Sequence, residues 1–170
     1  MQRDFTRKIH GTYGLNYWER LRKFNLFSLQ RRRERYQIIY VWKILEKIVP
    51  NVGIEDRIST RTMRTCIVPA IKRDAPKKIQ TLRESSFTVH GTRLFNCIPR
   101  CLRDMSGQSV SVFKRNLDRF LRLVPDEPLI PGYTAMRRAD SNSLLDLKGV
   151  FNNIAFEVEI PDIEDGVNQM

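Results

Sequence analysis

The sequence predicts a predominantly α-helical α+β domain with a possible short two-stranded antiparallel sheet. Three observations predict it. Several stretches carry apolar residues at helical spacing behind good capping residues, β-branched runs between them lack helix formers, and prolines bound the helical stretches. A chain of 170 residues is expected to hold one such domain. Residues 1–14 read as a flexible basic arm, 15–147 as the helical domain, and 148–170 as an acidic, disordered tail.

The elements follow in chain order. Asn16 with Glu19 three residues on is a capping box, and Tyr17, Leu21 and Phe24 then share one helical face, so a short helix is expected near 16–26. Ser28 caps a second helix near 29–49. Its core stripe is Ile38, Val41, Trp42, Leu45 and Ile48, widened by Ile39, Tyr40 and Ile44, and Pro50 ends it. The run Thr60 to Val68 reads as a strand ending at Pro69, and Ser86 to Val89, stopping at Gly91, as its partner. Between them, Lys72 to Lys78 reads as a loop. Leu94 to Pro99 should form a helical turn that inserts Leu94, Phe95 and Ile98 into the core. Ser109 or Ser111 caps a helix near 110–124 whose apolar positions are Phe113, Leu117, Phe120, Leu121 and Val124. Pro125, Pro128 and Pro131 favour an extended strap, and Ser141 caps a last turn at Leu144 to Leu147.

The charge is uneven. Residues 1–125 hold 27 basic and 10 acidic side chains, a net +17, whereas 126–170 hold 3 and 9, a net −6. A body so basic favours polyanions, and the tail is placed to compete for it. RNA or DNA, bound without sequence preference, is the expected partner. No membrane, small-molecule substrate, metal or cofactor is expected. The N-terminus lacks the apolar stretch of a signal peptide, so nucleus or cytoplasm is the expected location.

Arg31, Arg32, Arg33 and Arg35 are the sharpest candidates for phosphate contacts. At the N-terminal turns of a helix the macrodipole disfavours cations, and an anionic partner would offset that cost. The alternative is a solvated charged turn. Arg115, Arg119 and Arg122 line the polar side of the last long helix and join the phosphate site if they adjoin the first cluster; otherwise they are a solvated face, with Asp118 pairing to Arg115 or Arg122. Trp18, Tyr36 and Tyr40 can stack on bases, although aromatics at helical spacing favour core packing, as Trp42 should. Cys97 and Cys101, with Cys66 and His90, invite a zinc site but lack the second close pair, so buried free cysteine is preferred.

Three strings, in this order, carry a family resemblance. They are Tyr17-Trp18-Glu19-Arg20-Leu21-Arg22-Lys23-Phe24 continuing through Arg31-Arg32-Arg33-Glu34-Arg35-Tyr36, then Ser86 to Pro99, then Phe113-Lys114-Arg115-Asn116-Leu117-Asp118-Arg119-Phe120-Leu121. Over residues 17–147 the chain resembles the region after the polymerase core in reverse transcriptases of non-LTR (LINE-type, jockey-like) retrotransposons. The family often has Trp-Asn-x-Leu-Pro where Phe95-Asn96-Cys97-Ile98-Pro99 stands here. The resemblance implies a region that helps grip element RNA or primer–template, and a chain such as a truncated element copy encodes. The family's RNA-directed DNA polymerase palm carries an aromatic-x-Asp-Asp motif, and this sequence contains no Asp-Asp pair. A non-catalytic fragment or remnant that binds nucleic acid is therefore expected. The competing expectation is a structural or protein-interaction remnant with no nucleic-acid role.

Overall fold

The computed structural model describes residues 2–59, 62–127 and 142–147. Among them are seven helices and one two-stranded antiparallel sheet, as the fold class predicted. The proline strap at Pro128 and Pro131, the Ser141 cap and the acidic tail lie outside the described residues.

Where composition suggested a loose arm, Gln2–Arg7 forms α1. It is tied down by polar contacts from elsewhere. Gln2 Nε2 donates to the Phe27 carbonyl and the Tyr17 hydroxyl donates to Gln2. Arg20 Nε donates to the fully buried Thr6 hydroxyl. Tyr17–Lys23 forms α2 behind the expected box, with Glu19 N donating to Asn16 Oδ1 at 2.9 Å and Asn16 N to the Glu19 carboxylate at 2.7 Å.

The central helix α3, Leu29–Leu45, starts at Ser28, whose hydroxyl accepts from the Arg31 amide. It stops short of Pro50. Lys47 turns left-handed at φ 59°, and the Ile48 amide closes back on the Lys43 carbonyl. Ile48 is thereby released from the expected core stripe and is 50% exposed. The rest of the stripe packs as its spacing requires, with Ile38, Val41 and Trp42 fully buried. Trp42 stacks on Phe113 at 4.5 Å between centroids and donates its indole N–H to the Met105 carbonyl.

The sheet differs from expectation in its partner. β1, Glu55–Ser59, pairs with β2, Thr62–Ile67, as a local hairpin. The stretch Ser86 to Val89 is instead the start of α5, Phe87–Cys97. Gly91, read as a stop, lies mid-helix where α5 crosses α3. A Cβ there would meet Val41 Cγ2 and Phe87 Cε2 at 3.1 Å, so the glycine permits the close approach. Besides α1, two more helices went unforeseen, α4 (Lys77–Glu84) and the four-residue α6 (Arg100–Arg103). The first buries no residue, so no apolar stripe announced it.

Asn96 shows why its amide suits this position. Its Oδ1 accepts from the Cys66 amide and its Nδ2 donates to the Cys66 carbonyl, both at 2.8 Å. One side chain thus gives β2 the two bonds a third strand would supply. Val110–Leu123 forms α7 behind Ser109. It runs antiparallel to α3, as the pairings Arg31 with Pro125, Arg35 with Asp118 and Trp42 with Phe113 show. Leu144 and Leu147 close the core over the start of α3.

Candidate nucleic-acid interface

The four arginines at the start of α3 divide among three environments. Arg31 is a correction to the sequence reading, because it is fully buried and cannot reach a phosphate. Its Nη2 donates to the Pro125 and Asn142 carbonyls at 2.7 and 3.1 Å. Its Nε lies 3.5 Å from Asp126 and its Nη1 3.9 Å from Glu34. Burial lowers the Arg31 pKa, against the opposing pull of the two carboxylates. Asp126 also accepts from the amide and hydroxyl of Ser28, the helix cap. The anion that the helix N-terminus and its arginines demand is therefore internal.

Glu34 is equally buried, at 1% exposure. Its carboxylate accepts from the Ser143 hydroxyl at 2.6 Å and from the Leu144 amide. The network joins the start of α3 to residues 125–126 and 142–144, and so fastens the last described segment to the core.

Arg35 is half-buried and forms a two-pronged pair with Asp118 of α7, its Nη2 at 2.8 Å from Oδ2 and its Nε on Oδ1. The hydrogen bonds from Asp118 raise the Arg35 pKa. Asp118 thus pairs across helices, where the sequence suggested Arg115 or Arg122. The consequence for geometry is useful. Arg115 and Arg122 are the i−3 and i+4 neighbours of Asp118, and Arg32 is the i−3 neighbour of Arg35. The ion pair therefore sets Arg115 and Arg122 on the side of α7 that neighbours Arg32 of α3, whereas Arg33, two residues from Arg35, faces another side of that helix.

What remains open to solvent is Arg33, Arg115, Arg119 and Arg122, with Arg32 half-buried. None of the five forms an ion pair among the described residues. On α3 the sequence reading undervalued two aromatics. Tyr36 is 64% and Tyr40 42% exposed. The signal was available, because Leu29, Arg33, Tyr36, Tyr40 and Lys43 repeat at i, i+4, i+7, i+11 and i+14 on the side away from Trp42. Trp18 is half-buried, edge-on to Tyr17 at 4.8 Å.

The other candidates have local duties. His90 Nδ1 lies 2.7 Å from Gln37 Oε1, joining α5 to α3. Burial pushes the Cys66 thiol up to about 12, which keeps it protonated and unreactive. Cys97 is half-buried and Cys101 exposed. No three His, Cys, Asp or Glu side chains gather as metal ligands among the described residues. A groove of about 410 Å³ between α2 and the end of α7 is lined chiefly by Trp18, Leu21, Phe27, Leu121 and Val124. Its two carboxylates are already engaged, Asp126 with Arg31 and Glu127 with Arg22. Among the described residues no helix is long and apolar enough to cross a membrane.

No protein-family model, curated protein or solved structure gave a significant match to this chain.

Proposed function

We propose that the chain is a non-catalytic fragment or remnant of a non-LTR retrotransposon reverse transcriptase that binds RNA or DNA phosphates without sequence preference. The single observation that carries the binding is the exposure of Arg33, Arg115, Arg119 and Arg122, none of which forms an ion pair among the described residues. Planar guanidinium groups suit phosphate oxygens, which they can meet with two parallel hydrogen bonds. The origin is supported by the order and wording of the three strings that resemble the family.

If about four phosphates are neutralised, log K should fall with log salt at a slope near −3.6 on duplex and near −2.8 on single strands. Replacing Arg33, Arg115, Arg119 and Arg122 with Gln should flatten that slope and weaken all sequences alike, because phosphate contacts position without reading bases. Titration of labelled oligonucleotides across a salt series measures both. An unchanged slope, or no binding at low salt, overturns the proposal.

The absence of an Asp-Asp pair leaves no polymerase metal site of the family's kind. The purified protein should incorporate no nucleotide on a primed RNA template with Mg²⁺ or Mn²⁺. Incorporation abolished by a point substitution within this chain would refute that.

A second reading has one observation of its own. Ile79 and Leu82 on α4 are 47% and 62% exposed, an apolar pair that favours a protein-interaction remnant. Absence of nucleic-acid binding at low salt selects this reading.

A further inference from the structure

We propose that the outward face of α3 is a stacking platform that prefers single-stranded nucleic acid, with Tyr36 as its principal base contact and Tyr40 beside it. This rests on the nucleic-acid reading above and specifies the form of strand that site favours.

Tyr36 and Tyr40 sit one turn apart on the helix side opposite Ile38 and Trp42, about 6 Å along the axis. Each ring has one neighbour that favours its orientation. The Arg35 guanidinium carbon lies 5.5 Å from the Tyr36 ring centroid, and Asp118 fixes that guanidinium from α7. The Tyr40 ring meets Phe87 of α5 edge-on, with centroids 5.3 Å apart and planes at 77°. A ring ordered before binding loses less entropy when a ligand arrives. Arg35 leaves most of Tyr36 uncovered, since the residue remains 64% exposed.

Cations bracket the pair on the same face. Arg33 precedes Tyr36 by three residues and Lys43 follows Tyr40 by three. Arg33 to Lys43 spans about 15 Å, a length that suits a few nucleotides, with phosphates at the ends and bases between. Aromatic stacking needs an exposed base face, and every base has one. A duplex keeps those faces stacked internally, so it can meet the cations but not the rings. An acidic peptide would likewise satisfy the cations and leave the tyrosines without a partner.

The test compares a labelled single strand of about twelve nucleotides with a duplex of the same length at low salt, on the full chain. Tyr36→Leu keeps apolar bulk and removes the π-face. It should weaken the single strand by about 5- to 150-fold and leave the duplex essentially unchanged. Tyr36→Phe should retain single-strand affinity, and the single-strand salt slope should be the same in all three proteins, because no phosphate contact is lost. Equal losses on both forms, or no loss on either, overturn the platform. If the wild-type protein binds neither oligonucleotide, the phosphate reading fails and the platform with it. If the arginine variants weaken binding and Tyr36→Leu does not, the platform alone fails.

Discussion

Trp42→Ala should lower the unfolding free energy by about 3–5 kcal/mol. Trp42 is fully buried in the last turn of α3, stacked on Phe113 with planes 8° apart. Truncation removes the transfer free energy of the indole and leaves a cavity that two helices, α3 and α7, cannot both collapse to fill. It also strands the Met105 carbonyl that the indole N–H now satisfies. Urea denaturation followed by far-UV circular dichroism measures the effect. Tyr36→Ala on the same helix is the control and should change stability by no more than about 0.5 kcal/mol, because that side chain is mostly exposed. A midpoint shared by wild type and Trp42→Ala would refute the core assignment.

Arg31→Met should cost a similar amount, about 3–5 kcal/mol, because it leaves Glu34 and Asp126 as carboxylates without their buried cation. Glu34 is the more exposed to this loss in energetic terms, being the more deeply buried of the two. Replacing both partners, Arg31→Met with Glu34→Leu, should cost less than the sum of the two single changes, since no isolated charge is then left between them. The full cycle, measured by denaturation, returns the coupling between the pair. The same variants separate structure from binding. Arg31→Met should leave the salt slope of nucleic-acid binding unchanged, whereas the exposed arginine set should alter that slope with little effect on stability. A flattened slope for a folded Arg31→Met protein would return Arg31 to the phosphate surface.

The amphipathic helices were legible in the sequence because their information is local. The box at Asn16 and Glu19, the caps at Ser28 and Ser109, and the stripes through Trp42 and Phe113 each lie within a few turns and needed no partner to be recognised. The inward fate of Arg31 was legible too. Carrying the Ile38–Val41–Trp42 stripe back by seven residues reaches Arg31, Glu34 and Arg35, the three that turn inward. Charge concealed what spacing disclosed. The hairpin partner was missed because Ser86 to Val89 has strand-forming residues and Gly91 resembles a breaker. Packing against Val41 overrides both, with the glycine serving proximity instead of a turn.

The sequence by itself therefore determined a helical α+β domain, its principal core and a strongly basic body. Only the tertiary structure decided which cations remain available. Asp126, Asp118 and Asn142 lie 83 to 111 residues from the arginines they engage. No periodicity within one helix can indicate such pairings, because they depend on which helix ends meet once the core has packed. A formal charge counts every guanidinium equally. Burial divides them into those that bind the protein to itself and those left facing solvent.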